Sequence, residues 1–202
     1  MQFRELFTTL QKNNYSVFSF EDILAFFPGE SRVNLKRMIH RWAEKNWIQP
    51  LKRGLYELTY PGDLSIPDLH IAGKLYSPSY ISLETALSYY SLIPEVSMAV
   101  ISITTKPTRR FKNKHGLFLY RTVKSACFTG YYVEEQRGFP FLMAEPEKAL
   151  ADYIYFKSLR RKKVSFREDR LEKDAIRALD KSKVKHYAGL YGIKIGGFYA
   201  QL

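Results

Sequence analysis

A Pro28-Gly29 break, with Ser31 just beyond it, is the feature that most restricts what this chain can fold into. It ends one apolar-striped segment and lets another begin within a few residues, which predicts two short helices joined by a tight connection. On the upstream side, Phe20, Ile23, Leu24 and Phe27 fall at i, i+3, i+4 and i+7. Ser19 stands where a helix cap belongs and Asp22 where the reciprocal acid of a capping box belongs. On the downstream side, Ser31 caps a helix expected to run to about Asn46, with Leu35, Met38, Ile39 and Trp42 as its apolar stripe. An earlier helix is read from Phe3, Leu6, Phe7 and Leu10. Two strands are expected at Trp47–Leu51 and Leu55–Thr59, joined through Lys52-Arg53-Gly54, where glycine suits a hairpin turn. Three short helices and a basic-tipped hairpin outline a winged helix-turn-helix over residues 1–60.

At about 100° per residue, the face opposite that stripe carries Val33, Asn34, Arg37, His40, Arg41 and Glu44, with Lys36 at its flank and Arg32 in the first turn. A helix packed by one stripe can present its other face to a major groove, where Arg and Lys reach phosphates or guanine edges and Asn pairs with adenine. The candidate DNA contacts are therefore Arg32, Asn34, Lys36, Arg37, His40 and Arg41, joined by Lys52 and Arg53 at the hairpin tip. The same residues also describe an ordinary solvated helix face, and winged helices serve as protein-interaction modules too.

Charge bears on the choice only once it is placed. The chain has 202 residues and a formal charge of +12, which points to a polyanionic partner. Residues 1–66 hold 9 basic and 7 acidic residues, net +2, while residues 67–202 hold 23 and 13, net +10. The division falls in Thr59–Asp68, a stretch with two prolines, one glycine and no periodicity, so residues 61–68 are read as a linker and 69–202 as a second domain. That domain is expected to be mixed α+β. Helices are read at Ile71–Tyr76, from Leu83 (capped by Ser82), from Pro146, at Asp169–Lys181 and at Ser182–Tyr191. Strands are read at Met98–Thr105, Leu117–Val123, Cys127–Val133 and Phe139–Met143. Two basic clusters stand out, Lys106, Arg109, Arg110, Lys112 and Lys114, read as a loop, and Lys157, Arg160, Arg161, Lys162, Lys163 and Arg167.

Other chemistries find little support. One cysteine, Cys127, excludes an intrachain disulfide and sits in an apolar pattern expected to be core. The four histidines, His40, His70, His115 and His186, lack metal-ligand spacing, and no phosphate-loop motif occurs. The strand ending at Lys106 has Thr104 where a metal-dependent nuclease needs an acid, and Glu147 and Asp152 are five residues apart. No enzyme, metal or cofactor is expected. The first residues lack a signal peptide's pattern and no window is apolar enough for a membrane span, so a soluble, cytoplasmic chain is expected.

Several blocks in the second half resemble a known family. Pro78-Ser79-Tyr80-Ile81-Ser82-Leu83-Glu84-Thr85-Ala86-Leu87 leads to Leu92-Ile93-Pro94-Glu95; Ile103-Thr104-Thr105-Lys106 precedes Arg109-Arg110-Phe111; and Ala144-Glu145-Pro146-Glu147-Lys148-Ala149-Leu150-Ala151-Asp152 follows. Together with Arg53-Gly54-Leu55-Tyr56, they resemble, in order, the AbiEi-type antitoxins of abortive-infection, type IV toxin–antitoxin systems. The resemblance covers most of residues 50–155. Ser91 and Glu145 depart from it, standing where the family commonly has glycine and a small or hydroxyl residue. It implies an N-terminal winged helix that binds promoter inverted repeats and represses its own operon. It also implies a C-terminal domain that antagonises a nucleotidyltransferase-like toxin without a stable complex. Such a protein is compatible with a monomer in solution and two or more copies on DNA. The alternative is a basic protein- or RNA-interaction module whose winged helix does not read DNA.

Overall fold

The computed structural model describes residues 1–62, 65–94, 97–160 and 164–200. The chain divides into two compact units: residues 1–67 with Asn113–His115, and residues 68–112 with 116–202.

In the first unit the elements run α1 (Phe3–Lys12), β1 (Val17–Ser19), α2 (Phe20–Phe26), α3 (Arg32–Glu44), β2 (Ile48–Lys52) and β3 (Leu55–Leu58). Ser19 Oγ accepts from the Asp22 amide at 3.1 Å and Asp22 Oδ2 accepts from the Ser19 amide at 2.6 Å, the expected capping box, of a kind worth about 0.5–2 kcal/mol to a helix. Ser31 Oγ caps α3 through the Asn34 amide at 3.2 Å. Gly54 turns the hairpin at φ +78°, a conformation glycine adopts without Cβ strain. The strands form an antiparallel sheet in the order β1-β3-β2, in register Phe18↔Tyr56 and Gln49↔Glu57. Strand β1 has three residues, too few to show alternation, and sequence reading missed it. Leu6, Leu10, Phe18, Ile23, Leu35, Ile39 and Trp42 fill the core, so the α3 stripe faces inward as its periodicity predicted.

The second unit is built on a six-stranded mixed sheet in the order β6-β7-β5-β4-β9-β8. Its strands are β4 (Ser79–Ile81), β5 (Ala99–Thr104), β6 (Arg109–Asn113), β7 (Gly116–Thr122), β8 (Tyr131–Gln136) and β9 (Phe139–Ala144). β4–β5 and β8–β9 are antiparallel, whereas β5–β7 and β4–β9 are parallel. The helices are α4 (Asp68–Leu75), α5 (Leu83–Tyr89), α6 (Pro146–Leu159), α7 (Lys173–Arg177), α8 (Lys181–Leu190) and α9 (Gly196–Tyr199). Pro146 opens α6, where its missing N–H costs nothing.

Four expectations need correction. The helix read at Asp169–Lys181 is only the five-residue α7, with 169–172 outside it and Lys181 already the first residue of α8. The segment 109–113, read as a loop, is the edge strand β6, because Phe111 packs its ring against Tyr76 and Tyr120, at 5.9 and 5.7 Å between centroids. Cys127 is buried as expected but lies in a short 3-10 turn, Ser125–Cys127, ahead of β8. Ser82 occupies the cap position of α5, yet its hydroxyl is committed elsewhere. Among the described residues, no helix is long and apolar enough to cross a membrane.

Candidate nucleic-acid interface

The face of α3 opposite the core is exposed at Arg32, Val33, Asn34, Lys36, Arg37, His40 and Arg41, with Val33 61% accessible. Local partners sort these residues. Arg32 is held by Glu21 through two hydrogen bonds of 3.0 and 2.9 Å, and His40 lies 3.4 Å from Glu44. Lys36, Arg37 and Arg41 have no ion pair among the described residues, and Asn34 is exposed beside them. A concavity of about 1010 Å³ is lined by Asn34, Lys36, Arg37, His40, Arg41 and Glu30. Arg53 is exposed at the hairpin tip and Lys52 is half-buried on β2. Lys36, Arg37 and Arg41 are thus the cations on this face most available to an external anion.

The larger basic excess of the second half is handled differently. Lys106 Nζ donates to the Ser77 carbonyl and lies 5.5 Å from the Tyr76 ring. Lys157 is paired with Asp169, and Lys183 with Glu145 at 3.0 Å. Lys114 counts with the first unit, where its Nζ is 3.7 Å from Glu57 Oε1 and His115 Nε2 is 2.6 Å from Glu57 Oε2. Arg109, Arg110 and Lys112 remain exposed on the edge strand. Alternation along β6 puts Arg110 and Lys112 on the face opposite Phe111. Cations on an edge strand also discourage pairing with another chain. Arg160 ends α6 and lines a groove of about 440 Å³ with Arg121, Thr122, Thr108 and Leu159. Arg121 was missed in the sequence because it stands alone in a strand, outside either cluster. Arg161, Lys162 and Lys163 lie outside the described residues.

The strongest polar constellation of the second unit is buried. Lys148 and Asp152, one turn apart on α6, are both 0% exposed and ion-paired. Asp152 Oδ2 accepts from Ser82 Oγ at 2.8 Å and Tyr80 OH at 3.1 Å, and Oδ1 accepts from Tyr191 OH at 2.6 Å. Lys148 Nζ completes the set at 2.9 Å from Tyr191 OH. Burial lowers the Lys148 pKa against the pull of Asp152, and burial foremost raises those of Tyr80 and Tyr191. Next to this set, Leu83 is held at φ +54°, in the left-handed region that glycine favours. Each oxygen of Asp152 has a partner, so the group works as a clamp joining β4, α5, α6 and the end of α8. Glu147 belongs elsewhere, accepting from the Asp180 amide at 3.2 Å, so the two carboxylates weighed for acid–base work serve separate structural ends. Cys127 donates to the Leu190 carbonyl at 3.3 Å, and burial raises its thiol pKa, which suppresses the reactive thiolate. Among the described residues, no group of three or more His, Cys, Asp or Glu could hold a metal ion.

No protein-family model matches this chain, and no curated protein matches it in sequence. The likeness to AbiEi-type antitoxins therefore rests on the residues quoted for it alone.

Proposed function

We propose that the first unit is a winged helix-turn-helix that binds double-stranded DNA, and that the protein is an AbiEi-type antitoxin repressing its own operon. The observation that carries the DNA reading is the division of α3. Its Leu35, Met38, Ile39 and Trp42 stripe is buried in the core, while Lys36, Arg37 and Arg41 stand exposed on its outer face without ion pairs among the described residues. An unpaired guanidinium breaks no ion pair on meeting a phosphate or a guanine edge, and its planar fork loses less rotamer entropy for each hydrogen bond it forms. Arg53 at the hairpin tip supplies a flanking backbone contact. Arg109, Arg110 and Lys112 add sequence-independent attraction, and the second unit antagonises a nucleotidyltransferase-like toxin in the cytoplasm without a stable complex. Two copies on an inverted repeat follow from the same reading.

Arg37→Glu with Arg41→Glu tests it, by mobility shift on duplex DNA taken from upstream of the protein's own gene. Affinity is expected to fall at least about tenfold, since each specific bidentate contact is worth about 1–3 kcal/mol. Unchanged affinity removes α3 as the reading element. A second reading, a module that meets an acidic protein or RNA, is favoured by the groove at Arg121 and Arg160 in the second unit. Rescue from the toxin by residues 68–202 expressed alone would support it.

A further inference from the structure

Both tryptophans of the chain, Trp42 and Trp47, line one cleft of about 810 Å³ in the first unit. With Phe3, Phe7 and Tyr60 they make an aromatic wall. Phe3 packs 4.5 Å from Trp47 and 5.6 Å from Trp42, and Tyr60 meets Phe7 and Phe3 edge-on at 5.5 and 5.9 Å. The wall is held from behind by the backbone: the Trp47 amide donates to the Trp42 carbonyl at 3.0 Å, and the Tyr60 amide to the Trp47 carbonyl at 3.2 Å. Tyr60 nonetheless remains 47% exposed.

The rim is cationic. Arg4, Arg41 and Lys45 line the cleft, and among the described residues none of them is ion-paired and no Asp or Glu belongs to the lining. Lys45 Nζ is poised 4.6 Å from the Trp47 ring centroid. Its ammonium is therefore held beside an aromatic face and not by a carboxylate. A core fringe needs apolar rings, but it does not need three uncompensated cations around a cavity of small-ligand size. That combination matches a flat ring system carrying negative charge: the ring stacks on the aromatic side chains, and the anion meets the rim.

We propose that this cleft is a binding site for a nucleobase bearing a phosphate, the base packing against Tyr60 and Phe7 and the phosphate held by Arg4, Arg41 and Lys45. Free mononucleotides and unpaired nucleotides of a single strand present the same chemistry. Duplex recognition through α3 is not needed for either.

Intrinsic tryptophan fluorescence of the full chain tests it, since both emitters lie in the cleft. AMP is expected to change the emission saturably, with adenosine and inorganic phosphate each binding at least about tenfold more weakly, because each carries half of the recognised chemistry. Lys45→Gln and Tyr60→Leu should each weaken AMP at least about threefold, with circular dichroism confirming that both variants are folded. A four-nucleotide single strand binding much more tightly than AMP assigns the site to strand ends or loops; equal binding assigns it to free nucleotides. No response to either nucleotide form, a response to phosphate equal to that of AMP, or folded variants that bind as the parent does would overturn the proposal. Neither Lys45 nor Tyr60 is among the duplex contacts, so this failure and that of the duplex reading are separately visible.

Discussion

Arg37 on α3 and Lys148 on α6 are both cations on helices, and they have opposite fates. Arg37 is exposed, with no ion pair among the described residues; Lys148 is fully buried against Asp152, with hydroxyls closing the remaining positions. The unit with the small net charge thus leaves more of its helix-face cations exposed and unpaired among the described residues, while the unit with most of the excess holds Lys106, Lys148, Lys157 and Lys183 in internal contacts. Net charge measures what is present; burial and pairing determine what a partner can reach.

The largest effect is expected at the buried end of this contrast. Lys148→Met should destabilise the protein by about 3–5 kcal/mol in urea unfolding, because it leaves Asp152 charged and buried without its ammonium. A cost below about 1 kcal/mol would break the comparison, showing that the pair is dispensable. At the exposed end, Arg109→Gln with Arg110→Gln should leave unfolding within about 0.5 kcal/mol of the parent. The pair should weaken duplex binding alike across sequences and make the salt slope shallower by about 0.9 for each phosphate no longer neutralised. A sequence-selective effect would move base readout into the second unit.

Asp169 sharpens the comparison by pH. Burial pushes its carboxyl up, but hydrogen bonds from Lys157, the Ser165 amide and Tyr153 outweigh it and hold the pKa below the usual carboxylate value. A lowered folded pKa adds stability that is fully present above the unfolded value of about 3.9 and is lost as pH falls through the folded one. Asp169→Asn should therefore be less stable at neutral pH and lose less stability between about pH 4 and pH 2, read from urea midpoints across that range. The smallest effect concerns Ser91, where the resemblance expects glycine. Its φ is +56°, so Ser91→Gly relieves left-handed strain and should add about 0.5–1 kcal/mol, or roughly 1–4 °C in Tm.

Much of the first unit was legible because its signals are local. Ser19 with Asp22, Pro28-Gly29 and Ser31 each act within one turn, so the limits of α2 and the start of α3 follow from neighbours. The second unit was harder where structure depends on distant contacts. Strand β4 has three residues and stands only because β5 and β9 flank it. The basic segment at 109–113 reads as a solvated loop until Tyr76 and Tyr120 receive Phe111. Lys148 and Asp152 are one turn apart on paper, an ordinary surface pair. What makes them a clamp is Tyr80, Ser82 and Tyr191, which lie 72, 70 and 39 residues from Asp152 along the chain.

Periodicity and capping residues alone were enough to assign the inward stripe of α3 and, by elimination, the cations on its outer face. They could not say which cations would remain available, because Arg32 is held by Glu21 from another helix and Lys157 by Asp169 from a later loop. Nor could they bring Phe3, Trp47 and Tyr60 to one cleft. Helical and strand periods encode which way a side chain points, whereas its neighbours come from chain closure over tens of residues, and only folding supplies that.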